Sequence, residues 1–85
     1  MKSIRSMILV SNDPISVERG AQDVFQMFQT EIRKADLYDE IKLSTISDVG
    51  EREDLPLVII YPEAVIYSQI TTEEVPVLFD EHIVN

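Results

Sequence analysis

Apolar and polar positions alternate along this chain in blocks that separate cleanly into elements. "SMILVS" (6–11) is a nearly continuous apolar run closed by the polar turn "SNDP". That pattern predicts a strand buried on both faces. From Val17 the period changes. Val17, Ala21, Val24, Phe25, Phe28, Ile32 and Ala35 recur at spacings of three and four, with Glu18, Gln22, Asp23, Gln26, Gln29 and Arg33 between them. The spacing predicts one amphipathic helix of about five turns. "IKLSTI" (41–46) alternates Ile41, Leu43 and Thr45 as a half-buried strand.

The second half repeats the logic. "SDVGERED" is an acidic loop, and "PLVIIY" (56–61) is a second apolar run headed by Pro56, read as a trans proline at a strand edge. "PEA" turns it into "VIYSQI", so the two form a hairpin. Thr71 with Glu74 is a capping box opening a final helix, whose stripe is Val75, Leu78, Phe79 and Ile83 and whose first turn tolerates Pro76. The predicted order is β-α-β-β-β-α. A parallel crossover followed by a hairpin gives a mixed four-stranded sheet in a two- or three-layer α/β sandwich, the thioredoxin-like arrangement.

Composition limits what such a domain can do. At 85 residues and 45% apolar content it holds one core. Net charge is −9, and the cations Lys2, Arg5, Arg19, Arg33, Lys34, Lys42 and Arg52 are scattered, which argues against nucleic acid and against an anionic membrane surface. With no cysteine and one histidine, disulfides, thiolate-held clusters and His-rich metal sites are excluded. The apolar start is too short for a signal-peptide core or a membrane span, so a cytoplasmic protein is expected.

Candidate chemistry concentrates in "ILVSNDPISVERGAQ" (8–22). Ser11, Asp13 and Ser16, with Asp48 and Glu51, offer hard oxygen ligands of the kind Ca²⁺ or Mg²⁺ prefers. Helix capping accounts for the same residues, with Asp13 as cap, Pro14 at the first helical position and Ser16 as an alternative cap. A Ser–His pairing finds no support, because His82 falls at the end of the last helix and reads as solvated. Gly20, inside the helical pattern, and Gly50 stand alone, so no phosphate loop is present. The acidic runs Glu51, Glu53 and Asp54, and Glu73, Glu74, Asp80 and Glu81, read as solvated faces. The sharper alternative is docking to a basic partner, with Tyr61 and Tyr67 as interface side chains.

With the elements placed, the chain resembles the thioredoxin-like [2Fe–2S] ferredoxin domains. The resemblance is to those at the N-terminus of NADH-binding flavoprotein subunits of complex I-like dehydrogenases and NAD(P)-reducing hydrogenases. In that family the first strand ends in Cys-x4-Cys, and a Cys-x-Gly-x-Cys precedes the second apolar strand. Here Ser11 and Ser16 stand at the first pair, Asp48 and Arg52 flank Gly50 at the second, and Ala64 replaces a hairpin glycine. "LPLVIIYPEAVIY" and "ITTEEVPVLFDEHIVN" carry the likeness most specifically.

The resemblance implies a cluster-less structural or docking domain of an NADH dehydrogenase subunit, with other subunits of a multi-subunit oxidoreductase as partners. FMN, NAD and a [4Fe–4S] cluster would belong to the parent protein, of which residues 1–85 would be an N-terminal piece. The alternative is a free-standing acidic interaction module that regulates or scaffolds a basic partner. A small redox or metal enzyme ranks below both, for want of thiols and imidazoles.

Overall fold

The computed structural model describes residues 3–84. The reading of the extreme start, and Lys2, lie outside that range. The elements are β1 (Ser6–Ser11), α1 (Pro14–Glu18), α2 (Ala21–Lys34), β2 (Ile41–Ile46), β3 (Val58–Tyr61), β4 (Val65–Tyr67) and α3 (Glu74–Leu78). The last of these widens into a π-helical end over Phe79–Val84. The sheet runs β2-β1-β3-β4. β1 and β2 are parallel, and β1–β3 and β3–β4 are antiparallel. The expected β-α-β-β-β-α order and mixed four-stranded sheet are therefore present.

The single long helix is a correction. Gly20 has φ 99°, in the left-handed region that favours glycine, and it divides the segment into a short α1 and a fourteen-residue α2. Val17 is consequently exposed, while Ala21, Val24, Phe28 and Ile32 carry the buried stripe. The stripe packs with Val75, Leu78, Phe79 and Ile83 against Ile8, Val10, Val58 and Ile60 on one sheet face. Alternation along the strands sends Leu9, Leu57 and Ile59 to the opposite face, where Ile15, Ile46, Val49 and Leu55 join them in a second, smaller cluster. Phe28, Ile8 and Ile60 are wholly buried, so the main core lies between the sheet and α2–α3.

Two prolines also differ from expectation. The Leu55–Pro56 bond is cis rather than trans, and so is Tyr61–Pro62. Pro56 sits where the chain enters β3, and its carbonyl accepts the Ile70 N–H at 3.0 Å. Ala64 ends the hairpin turn at φ 61°, a conformation costing a Cβ-bearing residue about 1–2 kcal/mol. The expected capping box is a correction: α3 begins at Glu74 with Glu73 as its cap residue and no side-chain cap, and Glu74 instead accepts from the Thr71 N–H and hydroxyl, both at 3.0 Å. No helix among the described residues is long and apolar enough to cross a membrane.

Candidate functional site

The site sits where β1, α1 and the loop before β3 meet. Asp13 begins α1, and its carboxylate accepts the Ser16 N–H at 3.1 Å and the Ser16 hydroxyl at 2.7 Å. The cap is thus Asp13. Ser16 is not an alternative cap but a buried residue one turn in, wholly without solvent exposure. Ser11, at the end of β1, is equally buried, and its Oγ lies 2.7 Å from the Ser16 Oγ. The Leu57 N–H, from the segment entering β3, donates to Ser11 Oγ at 2.9 Å.

Donor counting fixes the direction of this chain. A hydroxyl has one proton and an ionised carboxylate has none. Ser16 spends its proton on Asp13, so Ser11 must donate to Ser16, and Ser11 in turn accepts from Leu57. The result is an ordered relay from the Leu57 amide through two hydroxyls to the Asp13 carboxylate. The hydrogen bond from Ser16 holds the Asp13 carboxyl below the ordinary value of 3.8, with partial desolvation acting the other way. The end of β1, the start of α1 and a segment some forty-six residues further along the chain are thereby tied together.

The second half of the site is open. An approximately 420 Å³ cleft is lined by Asp13, Pro14, Ile15, Asp48, Gly50 and Arg52, among others. Asp48 and Arg52 are exposed, and Asp48 and Gly50 both adopt positive φ, 58° and 72°. A Cβ at Gly50 would run into the Leu57 side chain, so the loop passes close to the core there. Arg19, which sequence reading left aside, clamps this loop. Its guanidinium donates to the carbonyls of Arg52 at 2.8 Å and Leu55 at 3.1 Å. Spacing gave no signal for that clamp, because it bridges residues more than thirty positions apart.

The four positions therefore divide. Ser11 and Ser16 are brought together in the interior, while Asp48 and Arg52 line the solvent side. This donor set does not fit an iron–sulfur cluster, whose irons take thiolates. The two hydroxyls are committed to each other, to Asp13 and to Leu57, and Arg52 is a cation. The oxygen-ligand reading for Ca²⁺ or Mg²⁺ gains nothing either. Among the described residues no group of three or more His, Cys, Asp or Glu side chains could hold a metal ion.

The remaining candidates are dispersed. Glu51 and Glu53 are exposed and Asp54 half-buried around the short turn Arg52–Asp54. Gln69 ties the end of β4 to that turn through the Glu53 and Asp54 carbonyls, at 2.6 and 2.8 Å. Tyr61 lies at the far end of β3, about 10 Å along the strand from its first residue, Val58. Tyr67 packs against the main core, and its hydroxyl is 2.8 Å from His82 Nδ1. His82 is consequently not the solvated helix end expected from sequence. It is half-buried, with Nε2 3.2 Å from Glu63 and its ring edge-on to Tyr67 at 5.9 Å.

The fold and this junction define the class: an α/β domain of thioredoxin type. No family model matches the chain. A [2Fe–2S] ferredoxin of Clostridium pasteurianum is 27% identical over 67 residues, 79% of this chain and 66% of the ferredoxin, so the match spans just under two thirds of that relative. The wild-type thioredoxin-like [2Fe–2S] ferredoxin of Aquifex aeolicus, solved at 1.5 Å, superposes with a TM-score of 0.80 at 22% identity, covering 95% of this chain and 86% of that one. A second structure of that ferredoxin gives 0.82 over 96% and 82% at 22% identity. A cysteine-to-serine variant of it gives 0.81 at 23% identity, over 92% of this chain and 86% of that one. The chain is thus a thioredoxin-like domain whose relatives in fold and sequence are [2Fe–2S] ferredoxins, and it contains no cysteine.

Proposed function

We propose that this chain is a cluster-less ferredoxin-type domain that serves as a structural and docking module of an NADH-oxidising flavoprotein subunit in the cytoplasm. The observation that carries the reading is the relay from Leu57 through Ser11 and Ser16 to Asp13. By the family resemblance, Ser11 and Ser16 take the positions of the first two cluster cysteines. Here the relay's hydrogen bonds, with the apolar packing of Leu9, Ile15, Leu55 and Leu57, hold β1, α1 and the loop before β3 in register. A domain kept in shape without its cluster does not pass electrons, so its contribution is surface. Residues 1–85 are read as the N-terminal piece of the parent, and FMN, NAD and a [4Fe–4S] cluster as belonging to the rest of it. The acidic turn bearing Glu51, Glu53 and Asp54 would set orientation and encounter rate on basic partner subunits rather than affinity.

Anaerobic reconstitution with iron and sulfide, followed by EPR and iron analysis, tests the first half of the proposal. No [2Fe–2S] signal and no stoichiometric iron are expected, and a stoichiometric cluster would overturn it. Native purification from the source cells tests the second half. Co-purifying flavin fluorescence with NADH oxidation supports the oxidoreductase setting, whereas a homogeneous flavin-free protein overturns it.

A further inference from the structure

The side of the fold between α2 and β2, one end of which reaches Ser11, carries its own chemistry. Two hollows of about 420 and 400 Å³ adjoin between α2 and β2, sharing Phe25 and Gln29 in their walls. Phe25, Ile41 and Leu43 make the apolar floor, and Gln22, Gln26 and Gln29 form the helix side, at spacings of four and three that place them on one edge of α2. Together they make a groove along the strand.

The backbone of β2 completes it. β2 is an edge strand with a partner on one side only. The Ser6 N–H donates to Glu40 and the Asn12 N–H to Ile46, which sets the phase of the parallel ladder so that even-numbered β2 residues bond to β1. Leu43 and Thr45 therefore direct their N–H and C=O groups outward, on the same residues whose side chains line the groove. Neither N–H has a partner among the described residues. At six residues, this edge is twice the length of β4, the other edge.

We infer that this groove binds an extended partner segment that adds as a strand to β2, its alternate apolar side chains against Phe25 and Leu43 and an acidic residue against Arg33. Strand addition requires free backbone groups beside pockets for alternate side chains, and both are here. Glutamine amides both donate and accept, so the α2 edge can hold the far side of an added backbone. Charge selects the occupant. The chain carries sixteen acidic residues, yet none lines either hollow, and the charged side chain that does is Arg33. An acidic extended segment is repelled by the rest of the surface and accommodated at this place.

The inference goes beyond the docking reading and concerns a different surface. It is tested on the full 85-residue chain, so its failure leaves the reconstitution and co-purification results standing. The probes are two heptapeptides of alternating valine and threonine, one ending in glutamate and one in lysine, titrated into ¹⁵N-labelled protein. Amide shifts at Leu43, Thr45, Gln22, Gln26 and Gln29 are expected. The glutamate peptide should bind about threefold more tightly, as one exposed charge pair allows.

Thr45→Pro removes an outward N–H that the fold does not use and should abolish binding while leaving amide shifts remote from the edge unchanged. Arg33→Glu, at an exposed position, should reverse the preference between the peptides. The inference is overturned by absence of shifts, by shifts confined to the 48–55 loop, by equal binding of both peptides, or by survival of binding in Thr45→Pro. Concentration-dependent β2 shifts without peptide would assign the groove to a second copy and overturn it equally.

Discussion

Ser11 and Ser16 show what a residue position conveys and what it hides. Five residues apart across a strand end and a helix start, they read as polar turn residues. Both are in fact fully buried and bonded to each other, an arrangement that depends on how β1 and α1 fold back. As a cap, Ser16 would cost about 1 kcal/mol on truncation. As the acceptor for a buried hydroxyl it costs more, because Ser16→Ala strands the Ser11 proton. Ser11→Ala likewise strands the Leu57 N–H. Each single change should destabilise by about 1–3 kcal/mol. The two belong to one relay, so the double variant should fall short of the sum by about 0.5–1.5 kcal/mol in urea unfolding. Strict additivity would show that the hydroxyls do not act as a unit.

Among elements, the strands were legible because their apolar runs end in sharp polar turns. The predicted bounds of β1 and β2 coincide with the observed ones. The helix break was not, since the three–four spacing runs through Gly20 unchanged and only its φ of 99° reveals the division. The cis bonds at Pro56 and Pro62 are equally silent, cis being the minority state at any single proline. The cap of α1 was legible, and it makes a pH prediction. The Asp13 carboxyl lies below its ordinary value in the folded chain, so the native state binds fewer protons there than the unfolded one. Its contribution is complete above the unfolded value of about 4 and disappears as pH falls through the lower folded value. Asp13→Asn keeps a capping oxygen but cannot ionise. Its stability deficit against the wild type, measured by circular dichroism in urea, should shrink from about pH 5 to about pH 2. A deficit independent of pH would show that the charge contributes nothing.

At the scale of the whole molecule, the sequence pattern implied the crossover and the hairpin, but not the groove. Gln22, Gln26 and Gln29 read as a solvated helix face, and only β2's place at the sheet edge sets them opposite free backbone groups. Charge, by contrast, was legible from the start and bears on the whole fold. Against a net −9, the described residues show ion pairs of Arg5 with Glu40 and Lys34 with Glu31, at 3.3 and 3.4 Å and largely on the surface. Exposed pairs contribute about 0–1 kcal/mol each, and salt weakens them. Self-repulsion among sixteen acidic side chains acts throughout the compact state and is relieved by the same salt. The two effects predict opposite responses, and repulsion has the larger number of terms. Between about 10 mM and 0.5 M NaCl, where the screening length falls from about 30 Å to only a few ångströms, Tm should rise. Sodium chloride rather than sulfate keeps surface exclusion out of the measurement. A falling Tm would show that the ion pairs dominate. A rise would show that the acidity is a cost to the stability of the fold.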